Sequence, residues 1–292
     1  MATLILFLPL FGSLFFLYHN QKAEPQTEIL TEEVAPISIT LDTVKTTATS
    51  AIVVSLNSGN ILYQKQPNKL LPLASLTKLV TAKVAEDQTP QENVVIQKMT
   101  DQSYGDFKLG NGQSWNKEDL IAYTLITSSN DGAYTLSKSS EATSFVDSMN
   151  SLASTIGLTS TRFYNETGLD NDDAGIPGSK GTAKDVSALL SYLLKNDLNL
   201  YEKTKYSNIY IPSPSGQILA QNTNDAADKI TGLLLSKTGY TDTAGGNLAV
   251  VADMGLNEPT AFVVLHSSKE DRFEDVLALQ ENYFAQIRDS MR

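Results

Sequence analysis

Three short motifs carry most of the chemistry this chain can offer. Ser75-Leu-Thr-Lys78 puts a hydroxyl and an amine three residues apart at a helix start. Residues i and i+3 share a helix face, so the amine reaches the hydroxyl. A serine needs a base to become a nucleophile, and lysine serves where burial or a neighbouring cation disfavours its ammonium form. Ser128-Ser-Asn130 follows an apolar helical stretch, Leu120 to Ile126, and adds a second hydroxyl and a carboxamide. Lys237-Thr238-Gly239 occurs once, after the apolar run Ile230 to Leu235, and leads into Tyr240. A cation, a hydroxyl and a position without Cβ on a strand edge suit a substrate carboxylate lying against backbone. Each motif alone is ordinary. Ser114-Trp-Asn-Lys117 repeats the first spacing, and Ser-x-Asn recurs from Ser55, Ser58, Ser114 and Ser148, where turns and caps account for it.

Composition removes the competing chemistries. The 292 residues contain no cysteine, which excludes disulfides, thiolate catalysis and Cys-based zinc sites together. Only His19 and His266 exist, so a Ser-His-Asp triad would rest on His266 alone, in an apolar strand-like stretch. A hydrolase built on this chain therefore takes its base from another residue type. A net charge of −11, from 22 Lys+Arg and 33 Asp+Glu, argues against a nucleic-acid partner. Gly232-Leu-Leu-Leu-Ser-Lys-Thr238 lacks the spacing and second glycine of a phosphate loop, and Asp170 with Asn171-Asp-Asp173 lacks the ligand rhythm of a calcium loop. No metal or cofactor is expected.

The elements that must hold these motifs follow from periodicity. Ala51 to Leu56 and Asn60 to Lys65 are β-rich runs around a hairpin signal, Asn57-Ser-Gly59. A helix runs on from Ser75. Asn116 reads as an N-cap, with Asp119 at the third helical position, opening a helix to about Ile126. Thr143 to Ile156 and Ala183 to Leu194 are amphipathic helices. Asn247 to Met254 and Thr260 to His266 form a second hairpin, and Asp271 to Ile287 a closing helix. Strands at both ends and helices between them predict an antiparallel sheet made by the two ends of the domain, with a helical insertion. Ahead of this domain, Ala2 to Tyr18 is uncharged and apolar, which suggests a membrane anchor or a signal segment over 1–19. Residues 20–49 are polar and acidic and read as a linker, placing the catalytic domain at 50–292.

In this order the three motifs are specific. Together with Leu73-Ala-Ser-Leu-Thr-Lys-Leu79, Ser128-Ser-Asn-Asp-Gly-Ala133, Phe145-Val-Asp-Ser-Met-Asn150, Phe163-Tyr-Asn-Glu-Thr-Gly-Leu-Asp170 and Lys237-Thr-Gly-Tyr-Thr241, the chain resembles the serine-type D-alanyl-D-alanine carboxypeptidases of peptidase family S11. These are the low-molecular-mass penicillin-binding proteins. The resemblance spans about Ser50 to Phe284. It implies an α+β fold of the penicillin-binding-protein and β-lactamase type: a five-stranded antiparallel sheet flanked by helices, plus an all-helical subdomain, with the site between them. It also implies removal of the terminal D-alanine from peptidoglycan stem pentapeptides through an acyl-enzyme, and binding of β-lactams. By motif, Ser75 would be the nucleophile and Lys78 its base. Ser128 would pass the proton to the departing D-alanine, and Asn130 would hold the substrate amide and Lys78. Lys237 and Thr238 would bind the terminal carboxylate, with Lys237 lowering the Lys78 pKa. The amides of Ser75 and Tyr240, beside Gly239, would form the oxyanion hole.

The sequence departs from the family pattern in places. Ser236 stands where glycine is usual, which suggests a crowded strand edge. Ser55 replaces an aspartate after the first strand. Glu166 occupies a position commonly held by proline; a β-lactamase would need a deacylating glutamate, but the Phe-x-Asn-x-x-Gly-Leu context favours the carboxypeptidases. The sequence runs out soon after the closing helix, so an N-terminal tether would replace the family's C-terminal anchor. That tether puts the catalytic domain outside the cytoplasmic membrane, or free if the segment is cleaved. The alternatives are a D,D-endopeptidase using the same residues, a silent penicillin-binding scaffold and a β-lactamase.

Overall fold

Leu248 to Ala252 and Ala261 to Leu265, in two late strands, are unbroken apolar runs, because both faces of the sheet are covered. The computed structural model describes residues 39–41, 43–100, 105, 106, 108–171, 175–255 and 257–290. The apolar segment 1–19, His19, Asp172 and Asp173 lie outside the described residues. In chain order the elements are β1 (Ser50–Ser55), β2 (Ile61–Lys65), β3 (Leu71–Pro72), a 3-10 turn (Ala74–Thr77) running into α1 (Lys78–Gln88), β4 (Asn93–Val95), β5 (Ser114–Asn116), α2 (Lys117–Thr127), α3 (Asn130–Ser139) and α4 (Phe145–Thr155). There follow β6 (Arg162–Phe163), β7 (Ser179–Gly181), α5 (Ala183–Tyr201), a second 3-10 turn (Glu202–Lys205), β8 (Asn208–Ser213), β9 (Gly216–Gln221), β10 (Leu233–Thr241), β11 (Gly245–Asp253), β12 (Pro259–Ser267) and α6 (Asp271–Ser290).

The five-stranded sheet has the order β10-β11-β12-β1-β2, and its pairs are antiparallel. The first and last parts of the domain thus meet in one sheet, as the distribution of strands predicts. Alternation assigns its faces. Ile52, Leu235, Ala249, Val251, Ala261, Val263 and Leu265 join the core shared with α1, α2 and α5. Ala51, Val53, Leu248, Val250, Ala252, Phe262 and Val264 join the second core, under α6. Strand β10 is one edge of the sheet, and the helical part faces it. That part is not wholly helical, since β4 and β5 form a two-stranded ribbon within it.

The boundary expected at Ser50 needs correcting. Leu41 and Ala48 are fully buried and belong to the α6-side core, with Ile39 and Val44 packed against it. Asp275 on α6 accepts hydrogen bonds from the Thr47 amide, the Thr47 hydroxyl and the Ala48 amide. The stretch is polar by composition because it makes polar anchors, and the packed domain reaches back to Ile39.

Candidate active site

Ser75 sits in the 3-10 turn and Lys78 is the first residue of α1. The expected helix therefore starts with a tighter turn, and three residues per turn bring positions i and i+3 almost into register. Lys78 is completely buried, and its Nζ lies 2.9 Å from Ser75 Oγ. The same nitrogen donates to Asn130 Oδ1 and to the Thr167 carbonyl, each at 2.7 Å. A neutral amine has two hydrogens and one lone pair. With the hydrogens on those two oxygens, the lone pair is left for the Ser75 hydroxyl. Burial lowers the Lys78 pKa to about 7, and the charge of Glu166 opposes that shift.

The remaining family motifs explain how the Thr167 carbonyl comes to be there. Asn165 Oδ1 accepts from the amides of Thr167 and Gly168, closing a tight turn. Gly168 has φ +80°, and a Cβ there would run into the Ala74 carbonyl oxygen. Asn150 on α4 clasps β6 by accepting from the Phe163 amide and donating to the Phe163 carbonyl. Sequence reasoning recognised these residues by pattern; Thr167 acts through its backbone and left no signal of its own.

Ser128 follows α2 in a left-handed conformation, φ 59° and ψ 33°. Ser129 then caps α3 by accepting from the Gly132 amide, and Asn130 is the first residue of that helix. A Cβ on Gly132 would meet Thr124 Oγ1, so the glycine lets α3 close on α2. That α3 begins at Asn130 was not visible in its polar, serine-rich sequence.

Across the cleft Lys237, almost fully buried on β10, donates to Ser128 Oγ at 2.9 Å and to the Thr238 carbonyl at 2.9 Å. Its pKa is pushed well below the usual lysine value by burial first, then by the charges of Lys78 and Arg272. Repulsion between two neighbouring ammoniums belongs to the pair, so each of the two lysines disfavours the charge of the other. Lys78 owes its lowered pKa to burial. Gly239 is needed for close approach, since a Cβ would sit 2.7 Å from the Leu73 carbonyl and 3.2 Å from the Ser75 amide. Ser236 does not crowd the edge; its amide donates to Thr204 Oγ1 and its hydroxyl to the Thr204 carbonyl. Ser55, as expected, serves its hairpin, donating to Glu258 and accepting from Ser58. His266 lies at the end of β12 against the Ala244 carbonyl.

A cleft of about 430 Å³ joins these groups, lined by Ser75, Ser128, Asn130, Thr238, Gly239 and Tyr240 among others. Six of the eight sequence-identified residues line the cleft; Lys78 reaches it through Ser75 and Asn130, and Lys237 through Ser128. Arg272 also lines it and was missed: it donates from Nη1 to the Gly239 carbonyl at 2.9 Å. Its position in the polar first turn of α6 looks like surface.

Residues 37–269 match the D-alanyl-D-alanine carboxypeptidase family, peptidase family S11. The chain belongs to this family. A D-alanyl-D-alanine carboxypeptidase of Mycobacterium tuberculosis, DacB2, is 30% identical over 70% of this chain and 73% of its own length. A D-alanyl-D-alanine endopeptidase of Pseudomonas aeruginosa is 29% identical over 79% of this chain and 75% of its own. Penicillin-binding protein D2 of Listeria monocytogenes, solved with cefotaxime bound, superposes with a TM-score of 0.74 at 30% identity, covering 82% of this chain and 98% of that one. This family member is thus an α+β serine hydrolase of the D,D-peptidase group, with the penicillin-binding-protein fold.

Proposed function

We propose that the protein is a D,D-carboxypeptidase that removes the terminal D-alanine of peptidoglycan stem pentapeptides. The observation that carries this reading is the buried Lys78 amine, poised 2.9 Å from the Ser75 hydroxyl with a pKa of about 7. Ser75 Oγ attacks the carbonyl carbon of the penultimate D-alanine while its proton moves to Lys78 Nζ. The oxyanion takes hydrogen bonds from the amides of Ser75 and Tyr240, each worth about 2.7–4 kcal/mol. The C–N bond breaks as Ser128 Oγ passes a proton to the departing amine, and Ser128 recovers one from the Lys78 ammonium, which returns to its neutral form. Water then hydrolyses the ester, with Lys78 again taking the proton and handing it to Ser75 Oγ as the acyl group leaves. Lys237, Thr238 and Arg272 supply the field for the terminal carboxylate, and Asn130 fixes Lys78 and the substrate amide.

A second reading, D,D-endopeptidase action on cross-links, is favoured by the name of the Pseudomonas relative, and it uses the same residues. β-Lactams would acylate Ser75 in either case, as analogues of the scissile peptide. The apolar run 2–18 supports a tethered enzyme acting outside the cytoplasmic membrane.

The test incubates the chain and Ser75→Ala with fluorescent penicillin, a stem pentapeptide and a cross-linked dimer. Covalent label with D-alanine release from the pentapeptide, both absent in Ser75→Ala, is the expected result. Cleavage of the dimer alone would transfer the assignment to the endopeptidase, and label without any cleavage to a scaffold.

A further inference from the structure

One hydroxyl in the cleft has no role in the reaction described above. Thr223 lines the cleft with Thr238, and their Oγ1 atoms are 2.5 Å apart. Thr223 is firmly placed: its amide donates to the Ile126 carbonyl, two residues before Ser128. Its neighbours are stitched down as well. Asn222 Nδ2 donates to the carbonyls of Thr204 and Tyr206, and Asn222 Oδ1 accepts from the Asn224 amide. A β-branched side chain on a fixed backbone has few χ1 choices, so the direction of the Thr223 hydroxyl is set.

Two hydroxyls that share one hydrogen bond leave one hydrogen free. If Thr238 donates to Thr223, its hydrogen is turned away from any ligand on β10. If Thr223 donates to Thr238, the Thr238 hydrogen is released into the cleft and polarised by the bond it accepts. A carboxylate beside Lys237 and Arg272 selects the second sense, because only then does Thr238 present a donor to it.

We propose that Thr223 is a specificity-determining residue: its hydroxyl donates to Thr238 Oγ1 and so aims the Thr238 hydrogen at the carboxylate that follows the scissile bond. The inference rests on the D,D-peptidase reading, which assigns that carboxylate to Thr238. Thr223 therefore sets how strongly the enzyme prefers a free carboxylate over an uncharged group there.

The experiment compares an N-acyl-D-alanyl-thioglycolate thioester with its carboxamide, which is activated enough to turn over without the carboxylate. In Thr223→Val, which keeps the shape and removes the donor, the ratio of kcat/KM for acid over amide falls about 5- to 10-fold. Thr223→Ser restores most of it. An unchanged ratio, or an equal fall for both substrates, overturns the proposal, the second outcome marking a packing role. Acylation by benzylpenicillin against its methyl ester reads the same ratio without deacylation. Failure of the unsubstituted chain to turn over either thioester or to take up penicillin would bring down the peptidase reading itself, and the proposal with it.

Discussion

The two walls of the cleft each bury a lysine, and they hold it by different means. On the helical wall, Lys78 Nζ touches oxygens from three separate segments: the 3-10 turn, the start of α3 and the Thr167 turn. On the sheet wall, Lys237 is fixed by the register of β10 on β11, opposite Ala249, and its amine reaches Ser128 and the next carbonyl. Neither amine contacts a carboxylate through these bonds. The helical wall is assembled by long-range contacts and tunes a proton acceptor; the strand wall is assembled by pairing and offers a rigid edge for recognition. Damage on the first wall should strike kcat, and on the second KM as well.

The largest effect tests the first wall. Lys78→Met removes the proton acceptor while keeping the volume, and kcat/KM for a pentapeptide falls by about 10³-fold, the middle of the range for general-base catalysis. Retention of more than a tenth of the activity would mean that another group takes the Ser75 proton. Lys237→Ala is the matching change on the strand. It raises KM by loss of carboxylate attraction and lowers kcat through Ser128, for a combined loss of about 10²-fold in steady-state assays. A change in KM alone would show that its contact with Ser128 has no part in turnover.

Smaller changes sharpen the contrast. Ser236→Gly brings the strand wall to the family's usual residue and removes the hydroxyl bond to Thr204. It costs about 1 kcal/mol in denaturant unfolding, with catalysis preserved. The last prediction concerns proton affinity. Lys78 must be neutral to act, so kcat/KM rises with pH through an acid limb near pH 7. The Glu166 charge favours the ammonium form and holds that limb up, so in Glu166→Gln the limb moves to lower pH. A pH–rate profile that stays in place, or moves upward, would show that Glu166 does not act on Lys78 through its charge.

How far the sequence disclosed this arrangement depended on locality. Asn116 does cap α2, accepting from the Asp119 amide at 3.2 Å, because a cap is written within four residues. The terminal strands were legible because burial on both faces leaves an unbroken apolar run. Arg272, Thr167 and Thr223 were not, since each acts on partners far away in the chain or through the backbone. The Ile39–Thr49 stretch failed for the same reason: its anchor, Asp275, is more than 220 residues later. Helix α5 extends past Leu194 to Tyr201 through a non-helical Asp197, whose side chain pairs with Lys83.

The left-handed turn at Ser128 sets a limit on how this enzyme can be hardened. A serine in that conformation is less comfortable than glycine by roughly 1 kcal/mol, so selection for heat tolerance alone would reward Gly at 128. The gain would come from deleting the hydroxyl that links the two lysine-bearing walls. A thermostable descendant that still works should keep its serine here and find its stability elsewhere.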